Sequence, residues 1–560
     1  MEGYVYIAFV LVVAVIFAVQ SYKSNKEKQR KLDELVNKNY GNIPDREYSE
    51  AEMKHIARFH KLIQEKKNRE CIDDITWNDL DMDRVFQNIN NTYSSMGEEY
   101  LYDLLRTPRG QEELEEFNSV VDRFYKDEAG TKEVQKCFST IGRLKNTSFF
   151  EFIHMLEQLG TRSNIIHYFQ IVAFIASVVV LIVKPAVGIG IFIAVLAYNI
   201  ISYYKQKSVI ELYFNCFKYL IHIGIISRKI EKLLGEEFAE YKKEIGDINK
   251  EISTLETGLF LISDGMSGSI VEIIMDYARM ILHLDIIKFN SMLKKTIEHM
   301  EDIDKLYFCI GRLEAAIAVS SYRKYLLNHY GNYAIPEILR EGRLTIAFEN
   351  IYHPLIEKPV KNSIIEHKGV LLTGSNASGK STFLKTVAIN AILCRTIYLA
   401  TADSMRLTPF TIYSSMALKD DLENNESYYI VEIKSLKRII DASKDGRPML
   451  CFVDEVLRGT NTVERIAASS EILKSLAGKN VLCFAATHDI ELTHILEEEY
   501  SNYHFEETVL EDDIKFNYKL NIGRATTRNA IKLLKIIGYD EKIIKSAQTL
   551  ADGFMNTGKW

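Results

Sequence analysis

The chain lacks the patterns that mark a covalently or metal-stapled domain. Its seven cysteines, Cys71, Cys137, Cys216, Cys309, Cys394, Cys451 and Cys483, stand singly with no C-x-x-C pair. That argues against a disulfide framework and a zinc site, and for a reducing compartment around most of the chain. Eight prolines and 28 glycines in 560 residues are too few for a fibrous or low-complexity chain. With 47% apolar residues the chain is not disordered either. Basic charge is not in excess: 69 Lys and Arg against 76 Asp and Glu leave a net charge of −7. A globally cationic nucleic-acid binder is excluded, while a local cationic groove stays open. Finally, 560 residues exceed one hydrophobic core, so two or three folded units are expected.

Long apolar runs are present. Gly3 to Gln20 carries no charge and is close to the length that crosses a bilayer. The basic cluster Lys23, Lys26, Lys28, Arg30 and Lys31 follows it, the order of an uncleaved anchor with its C-terminal side in the cytoplasm. A second apolar block, Ile165 to Tyr203, is interrupted at Lys184-Pro185. Proline disfavours helical geometry in the residue before it and suits the first turn of a new helix, so the block predicts a transmembrane hairpin. Arg162, Lys205 and Lys207 put both ends on the cytoplasmic side, giving three spans in all. The alternative reading of the block is a buried helical pair, since His167 and Gln170 lie near one end.

Between and after these runs the pattern is helical, as at Glu98 to Leu105. Ile230, Leu234, Phe238, Tyr241, Ile245, Ile248, Ile252 and Leu255 recur at steps of three and four, the pattern of a long coiled-coil-like lever or of an ordinary bundle helix.

The most specific signal is Gly374-Ser375-Asn376-Ala377-Ser378-Gly379-Lys380-Ser381, a full match to G-x-x-x-x-G-K-[ST]. An apolar strand, Gly369 to Thr373, precedes it, and a helical pattern, Thr382 to Cys394, follows. The loop therefore sits where a helix N-terminus presents backbone N–H groups to phosphates, with Lys380 on the β and γ phosphates and Ser381 on Mg²⁺. A second strand, Pro448 to Val453, ends in Asp454 and Glu455: one carboxylate for Mg²⁺, the other to polarise the attacking water. A third, Asn480 to Ala486, ends in Thr487-His488, an imidazole at the same carboxyl edge of a parallel sheet. His488 is the expected γ-phosphate sensor.

These motifs, TGSNASGKST, VDEVLRGTNT and ATHDIELT, resemble in order and spacing those of the MutS family of DNA mismatch-repair proteins. Asp420-Asp421-Leu422 and Glu426 to Glu432 resemble that family's loop between its nucleotide motifs, and Tyr352-His353-Pro354 the approach to its ATPase domain. Ile75 to Leu80, Asn91 to Gly97 and Leu104 to Pro108 resemble the start of its helical core, and Tyr518 to Gly523 and Asn529 to Gly538 its closing strand and small helical dimerisation element. The resemblance implies an ABC-type ATPase using ATP and Mg²⁺, in which two subunits complete each other's sites. Ser427 then donates to the γ-phosphate held by the opposite subunit's Lys380, and Thr460, Asn461 and Thr462 cross the interface. Thr382 joins the nucleotide site, and Val360 approaches the adenine. Departures are Ser375, Ala377 and Ser378 where small or apolar residues are usual, and Leu457 where glycine is common. Ser21 to Asn68 is too short for the mismatch reader with its Phe-x-Glu wedge. Matches at Phe149 to Glu151 and Phe505 to Glu507 lie elsewhere and read as chance, and no nuclease domain is expected.

The expected fold is multidomain: N-terminal and central transmembrane helices, an all-α core and lever, and a C-terminal α/β P-loop ATPase domain. The expected boundaries are an anchor at 1–22, a basic helical linker at 23–69, the helical core at 70–339 interrupted by the hairpin 165–203, the ATPase domain at 340–528 and a helical dimerisation element at 529–560. The expected protein is a multi-pass cell-membrane homodimer with its ATPase domain in the cytoplasm, clamping duplex DNA. The alternative is a mechanochemical ATPase scaffold acting on a protein or membrane partner without DNA.

Overall fold

The computed structural model describes residues 2–144, 147–253, 270–375, 378–416, 428–457, 461–509, 514–525, 531, 534 and 537–557. Two compact units interleave along the sequence. Met1–Asn68, Asn90–Asp103 and Val120–Ser321 form one, and Arg69–Ile89, Leu104–Ser119 and Tyr322–Trp560 the other.

The first unit is built from helices around an aromatic core. The Phe59 ring lies 4.9 Å from Phe150, nearly perpendicular to it, and 5.0 Å from Tyr307, geometry that adds to area burial. Two buried carboxyls anchor helix ends. Glu314 accepts from the Tyr93 N–H and, at 3.0 Å, the Ser94 N–H, at the start of helix Ser95–Arg106. Glu99 accepts from the Phe149 N–H at 2.8 Å, Ser148 Oγ at 3.1 Å and Tyr307 Oη at 2.7 Å.

The hairpin forms as the Lys184-Pro185 signal predicts. Helix Ile165–Val183 ends at Lys184, which leaves helical geometry (φ −137°, ψ 78°), and Pro185 opens the next helix. That helix continues past Tyr203 to Leu233, 49 residues in all, because Phe214, Phe217, Leu220, Ile226 and Ile230 carry an apolar face into the unit's core. Two stretches, Ile165–Val183 and Pro185–Glu211, are long and apolar enough to cross a bilayer, and only 17% of the apolar 18-residue core of each is buried. The hairpin's polar residues gather at its base. His167 Nδ1 lies 3.0 Å from His283 Nδ1, and Tyr203 donates to Asp285 at 2.8 Å. At the N-terminus Glu2–Asn39 is one helix. The side chains of residues 1–18 lie outside the described residues, so the expected first span is read from backbone alone.

The continuous helix expected over 230–255 is interrupted. Leu234 turns extended (ψ 132°), Gly235 follows (ψ 175°), a single 3₁₀ turn spans Glu236–Phe238, and Ala239–Ile252 is a separate helix. The periodic residues Ile230, Leu234, Phe238, Tyr241, Ile245, Ile248 and Ile252 are all buried. The repeat thus records two helices packed on each other. Leu255 lies outside the described residues.

The second unit holds ten described strands: β1 (Glu337–Ile338), β2 (Ile346–Ile351), β3 (Asn362–Glu366), β4 (Gly369–Thr373), β5 (Ser404–Leu407), β6 (Thr411–Ser415), β7 (Met449–Asp454), β8 (Val481–Ala486), β9 (Tyr500–Val509) and β10 (Ile514–Ile522). A small sheet runs β1-β5-β2-β3, and a larger one β10-β9-β4-β8-β7-β6. The larger sheet is parallel except for β10. The strands read from the sequence before the P-loop, Asp454 and Thr487 are β4, β7 and β8. All of β4 and β8, and β7 up to Val453, are buried, as continuous apolar strands covered on both faces should be. The early segment Asp74–Asp79, a short helix, is stitched to β6. Ser414 N donates to Thr76 Oγ1 at 3.0 Å, while Ser414 Oγ and Met416 N donate to Asp79 Oδ2 at 2.7 and 2.9 Å.

Candidate active site

The parallel order β9-β4-β8-β7 brings the ends of β4, β7 and β8 to one edge, where α/β sheets bind ligands. Gly374 leaves β4 at φ +143°, and a Cβ there would sit 2.8 Å from the Phe505 carbonyl oxygen. Gly379, at φ +106°, precedes helix Lys380–Thr396, whose first turn carries no acidic residue. The N–H groups and dipole of that turn are left for an anion. Lys380, 6% exposed, donates from Nζ to the carbonyls of Gly374 and Ser375, both at 2.8 Å. The Ser378 hydroxyl, 2% exposed, has no hydrogen-bond partner among the described residues. A buried, unmatched donor in this loop fits a phosphate oxygen.

A cleft of about 530 Å³ opens beside the loop. It is lined by Ser378, Gly379, Lys380, Ser381 and Thr382 from the loop and helix, by Asp454 and Glu455 after β7, by His488 after β8, and by Val360. His488 Nε2 lies 2.7 Å from Glu455 Oε1. The turn holding Glu455 is strained: Glu455 has φ +63° and Leu457 φ +58°, left-handed positions that cost about 1 kcal/mol or more each for residues with a Cβ. Two bonds hold it: Glu455 N donates to Ala486 O at 2.9 Å and Leu457 N to Glu432 Oε1 at 2.5 Å. Beside it, Thr487 N donates to Leu372 O at 3.0 Å and ties the end of β8 to β4. Asp489, next to His488, is gripped by Arg465 through Nε at 2.9 Å and Nη2 at 2.6 Å. Ser381 and Asp454 both line the cleft and carry hard oxygens. That donor set fits Mg²⁺, which takes few protein ligands and completes its shell with phosphate oxygens and waters. Among the described residues no group of three or more His, Cys, Asp or Glu is arranged to hold a metal by itself.

Ile351, His353, Ile356, Pro359, Phe505 and Tyr518 add apolar and aromatic surface to the same cleft, alongside the polar Lys358, Asn362 and Thr386. Burial, with Lys385 nearby, pushes His353 down to about 4; it therefore faces the cleft as a neutral imidazole. Tyr518 sits at φ +54°, where the pairing of β10 with β9 shifts register between Phe516 and Leu520. Its ring lies 3.1 Å from where a Cβ on Gly379 would stand. Sequence reasoning gave no role to Tyr518, Phe505 or Glu507. A bulge that turns one side chain into a cleft leaves no periodic trace. Asn376, Ala377, Ser427 and Thr460 lie outside the described residues; Asn461 caps helix Thr462–Ser475, accepting from Val463 N at 3.0 Å.

Fold and cleft together define a P-loop α/β domain with a phosphate loop, two carboxylates and a histidine converging on one sheet edge. Residues 370–555 match the family model for MutS domain V, which places that part of the chain with the MutS family. It is 27% identical over 280 residues to the DNA mismatch repair protein MutS of Natronomonas pharaonis, covering 48% of this chain and 31% of that one. Against MutS protein homolog 4 of Homo sapiens it is 27% identical over 291 residues, 49% of this chain and 30% of the relative. Against that of Mus musculus it is 29% identical over 291 residues, 49% and 29% respectively. The chain spans about a third of the length of these relatives.

Proposed function

We propose that this chain is a membrane-tethered, dimeric ATPase that couples ATP binding and hydrolysis to clamping of duplex DNA, in a role like mismatch repair. The observation that carries the reading is the meeting of Lys380, Ser381, Asp454, Glu455 and His488 on one cleft, with His488 Nε2 2.7 Å from Glu455 Oε1. Lys380 and the N-terminus of its helix bind the phosphates. The Glu455 carboxylate accepts the proton of the attacking water, and His488 orients that carboxylate while facing the γ-phosphate. Ser381 and Asp454 would hold Mg²⁺, which when bound would offset the negative charge of the phosphates. His353, Val360 and Tyr518 receive the adenine. Ser427 of a second subunit donates to the γ-phosphate, so the site is complete only in a dimer.

The tether rests on the hairpin. Nineteen residues of Ile165–Val183 rise about 28 Å, against ~30 Å of hydrocarbon, and Phe169, Val172, Ile182 and Val187 are mostly exposed. A soluble helical pair would bury that surface. Arg162, Lys205 and Lys207 favour cytoplasmic ends, hence a cell-membrane protein with a cytoplasmic ATPase domain.

A second reading, a membrane scaffold that hydrolyses ATP without DNA, is favoured by the hairpin and the net charge of −7. The test is ATP turnover by the full chain in detergent, alone and with perfect or mismatched duplex, at two salt concentrations, beside Glu455→Ala. Glu455→Ala is expected to slow hydrolysis ~10²- to 10⁴-fold, and unchanged turnover overturns the hydrolase assignment. Mismatched duplex is expected to stimulate turnover and to bind with a steep salt dependence. Indifference to every DNA selects the scaffold.

A further inference from the structure

Strand β9 does more than flank the P-loop. Past its pairing with β4 it runs on beneath the loop, the Phe505 carbonyl filling the space a side chain at Gly374 would need. Two residues on, the Glu507 carboxylate, 8% exposed, accepts a hydrogen bond from Ser375 Oγ at 2.9 Å. The Ser375 carbonyl in turn accepts from Lys380 Nζ at 2.8 Å. A continuous chain of contacts, Glu507 to Ser375 to Lys380, thus links the strand to the ammonium expected to meet the phosphates. A buried carboxylate beside a polyanion site is electrostatically costly, so its presence asks for a function. Ser375, which donates to it, is one of the residues by which this loop departs from the usual pattern.

We infer that Glu507 is a positioning residue for the phosphate loop: its hydrogen bond to Ser375 fixes the loop's first turn, so that the Gly374 and Ser375 carbonyls hold Lys380 over the site before nucleotide arrives. The inference rests on the ATP-binding reading above. Preorganisation lowers the ordering cost of binding, so the effect falls on affinity more than on the chemical step.

The test is equilibrium binding of a fluorescent, non-hydrolysable ATP analogue to the full chain in detergent, with KM and kcat measured alongside. Ser375→Ala and Glu507→Ala are each expected to weaken binding ~10-fold, the range of one charge-assisted hydrogen bond. The loss should appear in Kd and KM rather than kcat, and the double variant should be no weaker than either single one, as coupled partners require. Glu507→Gln keeps an acceptor for Ser375 and should restore most of the affinity. If Glu507→Ala unfolds, as thermal melting would reveal, Ser375→Ala with Glu507→Gln carries the comparison. Wild-type affinity in both Ser375→Ala and Glu507→Ala, or independent losses in the double variant, overturns the inference while leaving the site intact. If the wild type binds no analogue, or Lys380→Ala binds as well as wild type, the ATP-binding reading fails and this inference with it.

Discussion

Leu457 shows how two opposed energies settle at one residue. Its left-handed φ of +58° is where glycine is at ease, yet its side chain is 4% exposed in the apolar cluster beneath β7 and β8. Strain there costs roughly 1–2 kcal/mol, while truncating a buried leucine costs about 2–5 kcal/mol. Burial should win. Leu457→Gly is expected to destabilise the second unit by about 1–3 kcal/mol, read as a lowered urea midpoint; a stabilised variant would mean strain dominates. Glu99 poses a comparable contest. Burial pushes its carboxyl up to about 8, against three donors that favour the charged form; Glu314 is likewise pushed up to about 7. A folded-state pKa above the unfolded value means the folded chain binds the extra proton. The stability that proton supplies is whole below about 4.5 and lost as pH rises through about 8. Glu99→Gln is expected to flatten much of that slope, measured as denaturation midpoints across pH 5 to 9 in detergent; an undiminished slope would assign it elsewhere. Of the residues with a proposed chemical role, those inside contiguous motifs were legible: Lys380, Ser381, Asp454, Glu455 and His488 each follow a strand written as an unbroken apolar run. Glu507, which meets the loop through Ser375, and Tyr518, which lines the cleft, were not, since each comes from a strand whose sequence gives no sign of which face it presents.

Elements tell the same story one level up. The helix boundary at Lys184-Pro185 was readable because proline imposes it locally. The helix onward to Leu233, and the break at Leu234–Gly235, were not, because tertiary packing decides both. The long β9-β10 hairpin is the element whose geometry matters most to the cleft. Its register shift between Phe516 and Leu520 turns Tyr518 toward Gly379, and Asn362 secures the bulge by donating to Tyr518 O at 3.1 Å and accepting from Leu520 N at 2.9 Å. Stacking by an aromatic ring is worth about 0.5–1.5 kcal/mol. Tyr518→Ala is accordingly expected to raise the Kd for ATP ~3- to 10-fold and Tyr518→Phe to leave it nearly unchanged. Equal affinity in wild type and alanine variant would remove the tyrosine from the adenine site.

At the scale of the whole molecule, the second unit is not a contiguous stretch of chain. The short helix Asp74–Asp79 supplies acceptors for Ser414 and Met416 at the end of β6, and Arg438 donates to Asp73 at 2.8 Å. A fragment beginning at residue 340 would leave buried donors unmatched, each costing about 1–3 kcal/mol. Such a fragment is expected to melt early, and to recover when residues 69–119 are supplied as a second chain; full stability without them would make the stitching incidental. The same arrangement sets a timetable for biosynthesis. Thr76 and Ser414 are 338 positions apart, so at ~5–20 residues per second the ribosome needs about 17–70 s to deliver the second after the first. Throughout that interval Trp77 and its neighbours, which end up buried, have no sheet to join. By then the ribosome will have released every residue of the helical unit, up to Ser321, so the early segment meets its partner strand only after that unit's whole sequence is available to fold.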